Sequence, residues 1–324
     1  MEEVERARER LENIRSVQPI LNGLRTISLG SWQAALKRRS GVQTYAEQLK
    51  AMLPVLAPHL QTEKGFVQRL RERLPLPASL SGRSNGESDG DQGTYARVEA
   101  LVIGSERGLC GRFNVAIADE AEDYLQRQTG QVREVELHVL GSRAGRVLSR
   151  RGQEVVQAGT LSVTTLPPLS LAFELAGGWL TAYEEHEVDA VHIIYNAYRG
   201  TGTYEPTVTR LIPPQLPTDE GPAPRLEGSP RRNRTPWPPP IVDTDPMSLY
   251  ATVVEQWAAV QLYEILLDSS AAEHSTRFQL MESATQNADQ LVEELTLAIQ
   301  TARRQEITQE MAELATGAGL LGED

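Results

Sequence analysis

Between Met247 and Thr316 the chain runs for 70 residues without a glycine or a proline, with Pro246 before the run and Gly317 after it. Proline suits the first turn of a helix and glycine the position just past its end, so the run predicts one continuous helix. At 1.5 Å per residue such a helix is roughly 100 Å long, against a usual length of about 11–12 residues. No ordinary domain buries a rod of that length along its whole surface. Its middle shows a 3–4 alternation through Phe278, Met281, Thr285, Ala288, Val292, Leu295, Ile299 and Ala302. That spacing is a coiled-coil seam, and a seam needs a second helix to cover it.

Charge points to where the second helix lies. Residues 1–73 carry thirteen Lys/Arg and eight Asp/Glu, a net of +5, whereas residues 247–324 carry three and thirteen, a net of −10. Helices of opposite sign attract, but each screened surface pair contributes only tenths of a kcal/mol. Charge therefore selects the partner and supplies little of the stability. From Glu2 to Leu53 the pattern is helical, with an apolar stripe at Leu11, Ile14, Val17, Leu21 and Leu24, then Leu29, Trp32 and Leu36. Pro19 removes a backbone donor and crowds the preceding turn, at about 3 kcal/mol in an unsupported helix. A kink or loosened turn is expected there, with a break into two helices as the alternative. Close backbone approach is expected at Gly23, Gly30 and Gly41, since each costs a helix up to about 1 kcal/mol relative to Ala. A second helical stretch, about 45–74, reads as broken around Pro54 and Pro58, and residues 80–93 are a polar, glycine-rich loop.

From Tyr95 the period changes. Short apolar strands are predicted at 98–103, 135–140, 154–156 and 190–195, with helices at 115–128, 144–151 and 169–185 between them. A last, antiparallel strand is predicted at 204–212. Strands alternating with helices indicate a Rossmann-like α/β domain with a mainly parallel sheet. Residues 213–246 hold eleven of the nineteen prolines and read as an extended, solvated linker. The expected organisation is an N-terminal helical half (1–74), a loop (75–93), an α/β domain (94–212), a proline-rich insertion (213–246) and a C-terminal long helix (247–324). In fold class the chain is a long antiparallel coiled coil of its terminal helices plus that α/β domain.

Little in the chain suggests catalysis. Its net charge of −12 argues against general nucleic-acid binding, and no run of 18 apolar residues suits a membrane span. Cys110 is the single cysteine, so no internal disulfide is possible. The turn Gly104-Ser-Glu-Arg-Gly108-Leu-Cys110-Gly111 follows a strand, yet matches neither the dinucleotide nor the P-loop pattern. Gly108, Cys110 and Gly111 read as structural turn residues. The five histidines, His59, His138, His186, His192 and His274, form no zinc spacing, and no catalytic pairing stands out. No catalytic residue, cofactor or metal is expected.

Four stretches carry a family resemblance. They are Ile14-Arg-Ser16-Val17-Gln with Tyr45-Ala-Glu47; Ile103-Gly through Gly108-Leu-Cys110-Gly111 to Asn114; Tyr195-Asn196 leading to Glu205-Pro206-Thr207-Val208; and Glu273-His274-Ser275-Thr-Arg277 through Met281, Ala284-Thr285 and Asn287-Ala288 to Ala302-Arg303, Ile307-Thr308-Gln309-Glu310 and Gly317-Ala318. In this order the chain resembles the gamma subunit of rotary F-type ATP synthases, as a divergent member. Asn22-Gly-Leu-Arg-Thr-Ile27 stands where the family has a segment like K-I-T-K-A-M, Pro19 replaces a residue that does not break helices, and Arg304 replaces a Gln.

The resemblance implies a central-stalk rotor, with catalysis in neighbouring beta subunits. It implies partners: three alpha and three beta subunits, an epsilon subunit and a c-ring, at the cytoplasmic face of the cell membrane and peripheral to it. It implies partner contacts at Arg277 near the beta catch loops, and at Arg303, Thr308, Gln309, Glu310 and Glu313 against the alpha/beta ring. Two other readings stand beside it: a gamma-like paralogue that scaffolds such a complex without tight torque coupling, and a nucleotide-dependent α/β enzyme with helical arms.

Overall fold

The computed structural model describes residues 2–60, 96–129, 132, 134–162, 165–213 and 243–317. The expectations for 61–74, for the loop to residue 93, for most of the proline-rich segment and for the last seven residues lie outside the described residues. Ten elements follow in order: α1 (Glu2–Leu60), β1 (Arg97–Ile103), α2 (Phe113–Gln128), β2 (Glu134–Leu140), α3 (Ser142–Arg150), β3 (Val156–Gly159), α4 (Leu169–Glu184), β4 (Ala190–Gly200), β5 (Thr203–Ile212) and α5 (Pro246–Gly317). The chain divides into two compact units, residues 1–30 with 277–324, and residues 31–276.

The larger unit is built on a five-stranded sheet in the order β3-β2-β1-β4-β5. β1 to β4 are parallel, and β5 returns antiparallel along β4. β1 is central and reads Arg-Val-Glu-Ala-Leu-Val-Ile, buried almost throughout, as a parallel strand covered on both faces should be. On one face Ala100, Val102 and Ile194 meet Ile117, Ala118, Ala121 and Tyr124 of α2 and Ala144 and Leu148 of α3. On the other, Leu101, Ile103 and Ile193 meet Ala172, Ala176 and Trp179 of α4 and Leu262 and Leu266 of α5. Each large aliphatic side chain buried this way contributes about 1.5–3 kcal/mol. β3 begins at Val156, where a strand over 154–156 is expected, so that short edge strand sits later in the chain.

Helix α1 corrects two expectations. It runs unbroken through Pro19, Pro54 and Pro58 to Leu60. Packing outweighs the local proline cost in its second half, where Ala46, Leu49 and Leu56 are buried against Tyr250, Val253, Val254 and Trp257 of α5. The glycines are not sites of close approach either: a Cβ at Gly23, Gly30 or Gly41 would meet nothing within 4 Å.

Within the smaller unit α1 and α5 lie antiparallel, with Gln18 donating to Asp289 and Arg25 to Glu282, both at 2.7 Å. The α5 alternation is seen as expected: Met281, Thr285 and Ala288 are buried, and Val292, Leu295, Ile299 and Ala302 half-buried. The α1 stripe differs by one position. Leu11, Ile14, Gln18, Leu21, Arg25 and Ser28 are covered, and Val17 is exposed.

Candidate functional site

Three places carry the residues singled out by sequence. The first is the turn after β1. Gly104 N donates to Leu140 O at 2.8 Å, tying the ends of β1 and β2 together. A Cβ on Gly104 would sit 2.2 Å from Ala144 Cβ, and one on Gly141 2.6 Å from the carbonyl carbon of Gly104. These two glycines let strand ends and the start of α3 approach closely, and Gly141 also has φ +96. Gly111 has φ +58, and Leu109 takes a similar left-handed conformation. At Gly108 a Cβ would meet open space, so this glycine does not set the turn.

The turn closes over a buried polar cluster. Ser105 N donates to Asn114 Oδ1 at 2.9 Å, and Asn114 Nδ2 donates to Ser105 Oγ at 2.8 Å and towards Cys110 Sγ at 3.4 Å. Cys110 packs with Phe113 and with Ala272 of α5, and Tyr204 meets Phe113 edge-on at 5.3 Å. Asn196 on β4 donates to Phe113 O at 2.9 Å. In parallel α/β sheets a ligand crevice opens where the connections diverge, here between β1 and β4. In this chain Ser105, Cys110, Asn114 and Asn196 are buried at that end of the sheet.

Sequence reading passed over Glu106 in the same turn. Its carboxylate accepts from Ser142 N at the start of α3 at 3.3 Å and from Leu161 N at 3.0 Å. Burial pulls its pKa up, but the hydrogen bonds from Ser142 and Leu161 outweigh burial and hold it below the usual glutamate value. The acidic residue before the glycines thus clamps turn, helix and the segment after β3.

The second place is the α1–α5 contact of the larger unit. Arg39 Nη1 lies 2.6 Å from Asp268 Oδ1, and Arg39 Nε 3.7 Å from Glu264. Asp268 Oδ2 accepts from Tyr198 N at 3.2 Å. Burial raises the Asp268 pKa, and Arg39 and the Tyr198 N–H offset only part of that. Gln43 donates to Glu264 at 2.7 Å and Tyr45 to Gln256 at 2.9 Å. The family-like Tyr45 therefore joins the two helices.

The third place is α5 in the smaller unit. Arg277 is only 6% exposed, so its side chain is held within this chain. Arg303, Thr308, Gln309, Glu310 and Glu313 are all exposed. The register of Gln18 with Asp289 and Arg25 with Glu282 brings Gln305 level with Glu2, so 306–317 extend past the start of α1. On that extension Ile307, Met311 and Leu314 are 49%, 66% and 73% exposed and share one helix face, one position out of step with the seam. No helix among the described residues is long and apolar enough to cross a membrane.

Comparison with known proteins accounts for this combination. A family model described as ATP synthase matches residues 3–321. The chain is 26% identical over 314 residues to the ATP synthase gamma chain of Pelotomaculum thermopropionicum, covering 97% of both chains. It is 26% identical over 321 residues to that of an Anaeromyxobacter species, again covering 97% of both. Among solved structures it superposes on a chain of the Euglena gracilis mitochondrial ATP synthase, in the assembly of OSCP, F1 and c-ring. There the TM-score is 0.56 at 14% identity, covering 99% of this chain and 97% of that one, a likeness of fold. With the family model matched along nearly its whole length, this chain belongs to the ATP synthase family as one of its gamma chains.

Proposed function

We propose that the chain is the central-stalk rotor of an F-type ATP synthase. In this reading α1 and α5 form a left-handed antiparallel coiled coil that stands within a ring of three alpha and three beta subunits. The α/β domain faces an epsilon subunit and the c-ring, at the cytoplasmic face of the membrane and peripheral to it. Ion flow turns the c-ring and the stalk, and the stalk's asymmetric surface drives each catalytic site through states of different nucleotide affinity. Nucleotide chemistry belongs to the beta subunits, and this chain contributes mechanical coupling.

The observation that carries the reading is the exposed extension of α5. It exposes Ile307, Met311 and Leu314 on one face, one position out of step with the seam, and no helix among the described residues runs beside it. An apolar stripe of that kind suits a socket supplied by other subunits. Arg303, Thr308, Gln309, Glu310 and Glu313 surround it and are the proposed polar contacts with the alpha/beta ring. Arg277, enclosed in this chain, is proposed to hold α5 in place near the catch-loop contact rather than to reach a partner as a free side chain. Gly104, Gly111, Cys110 and Asn114 hold the head of the α/β domain rigid, and Gly108 adds no constraint of its own.

A second reading is a gamma-like scaffold that binds the ring without tight torque coupling. The polar residues Gln18, Arg25 and Ser28 on the covered face of α1 favour it, because they give the helix pair less apolar burial. Co-expression with the same organism's alpha and beta subunits separates the two. A complex with one copy of this chain and ATPase activity that depends on it supports the rotor. Assembly without dependent activity leaves the scaffold, and no assembly removes both.

A further inference from the structure

The geometry points to a divalent transition-metal site of the zinc class on the sheet, formed by Glu99, Glu136 and His138. β1 and β2 pair in parallel with Glu99 opposite Glu136 and Leu101 opposite His138. Residues two apart on a strand share a face, so all three side chains project on the side that packs α4. Among the described residues these three bring one ligand atom each to within 4.8 Å of one another. Two carboxylates side by side on neighbouring strands repel unless a cation lies between them.

The distances also suit a metal ion held between the three groups. His138 Nε2 lies 3.2 Å from Glu99 Oε2 and 3.7 Å from Glu136 Oε1. A charged N–H···O bond is about 2.7–2.9 Å. Ligand atoms about 2.0–2.2 Å from a tetrahedral zinc ion are separated by about 3.3–3.6 Å. The observed spacing brackets that tetrahedral edge. His138 Nε2 is a buried atom that meets no aligned hydrogen bond, and the atoms facing it are these two carboxylates.

The surroundings match what a metal site needs. Glu99 and His138 are 16% and 17% exposed, whereas Glu136 is 56% exposed and can swing in to close the third edge. Trp179 Nε1 donates to Glu99 Oε2 at 2.5 Å, fixing that carboxylate from α4 as outer-shell partners fix metal ligands. A cavity of about 340 Å³ lined by Glu99, Glu134, Glu136 and Glu187 with Arg97 opens beside the cluster, giving an ion an acidic entry. Imidazole with carboxylates suits zinc and its d-block neighbours rather than calcium or magnesium. Zinc here would staple β1 to β2 at the start of the sheet. No metal was expected from sequence, because no histidine had a second His or Cys at zinc spacing along the chain.

The test uses the full-length chain with Zn²⁺, and with Co²⁺ as a spectroscopic substitute. Calorimetry is expected to give one Zn²⁺ per chain with Kd at or below about 10 μM, and bound Co²⁺ to show the strong visible absorption of a four-coordinate ion. His138→Gln and Glu136→Gln are each expected to weaken binding at least tenfold. Zn²⁺ should raise the melting temperature of the wild-type chain and not that of Glu136→Gln. Because Glu136 is exposed, that variant keeps its metal-free stability and separates loss of binding from loss of fold. Absence of binding at 1 mM Zn²⁺, on the order of −4 kcal/mol or weaker, or equal binding in all three proteins, overturns the site. Since the readout is on the chain alone, it stands or falls apart from the rotor assignment.

Discussion

Arg39 of α1 and Asp268 of α5 meet at 2.6 Å, off the line of a hydrogen bond, while the other Asp268 oxygen accepts from Tyr198 N of β4. One carboxylate thus joins both long helices and the sheet within the larger unit. Removing one member of a partly buried pair strands the other. Asp268→Ala is expected to cost about 1–3 kcal/mol and to leave the Tyr198 N–H without its acceptor. Asp268→Asn should cost less, because it keeps the acceptor. A double-mutant cycle with Arg39→Ala, read by urea unfolding, should show coupling of about 1 kcal/mol or more; additive losses would mean the pair is incidental.

His192 of β4 sets a pH dependence. Burial, with Arg210 adding to it, lowers its pKa to about 4, and its Nδ1 is paired with the Tyr124 hydroxyl. The unfolded chain has the ordinary value near 6.5 and so binds the extra proton first as pH falls. The stability this neutral histidine allows is present above about pH 6.5 and is lost towards pH 4, up to about 3 kcal/mol. Thermal unfolding at pH 7.5 and pH 5 should therefore differ more in the wild-type chain than in His192→Gln. Parallel pH slopes would rule the residue out.

The turn glycines should separate sharply. Gly141→Ala places a Cβ against the Gly104 backbone at a positive φ and is expected to cost about 3 kcal/mol or more. Gly108→Ala meets open space and should fall within about 0.5 kcal/mol of wild type. Melting temperatures of the two variants check the contrast, and equal effects would refute it.

On the α5 extension, Met311→Lys with Leu314→Lys should leave the isolated chain within about 0.5 kcal/mol of wild type, because both side chains are exposed. In the reconstituted complex the same pair is expected to reduce chain-dependent ATPase activity severalfold. Unchanged activity would remove this stripe from the proposed contact.

What sequence reading recovered and missed follows from which residue types occupy which positions. The α5 seam was legible because Met281, Ala288, Val292, Leu295 and Ile299 are apolar at the covered positions. The α1 stripe slipped to Val17 because Gln18, Arg25 and Ser28 occupy covered positions, and a hydrophobicity pattern steps around them. Pro54 and Pro58 suggested a break because their cost is local, whereas Leu49 and Leu56 gain burial against residues some 200 positions away. The strands were legible from apolar runs between turn residues. Their lateral register was not, and only register brings Glu99 beside Glu136 and His138. Glu106 looked like turn filler because its partners, Ser142 and Leu161, lie 36 and 55 residues on.

The bare end of α5 has a consequence for the chain's life before assembly. Arg303 and Arg304 are exposed on a helix with no neighbouring helix past Gln305 among the described residues, and three large apolar side chains follow. Such a terminus opens at low cost and is cut readily. With the extension seated as proposed, a chain made in excess of its partners would show this handle to proteases and chaperones, and one held in a complex would hide it. The supply of the subunit would then be matched to the number of sockets waiting for it.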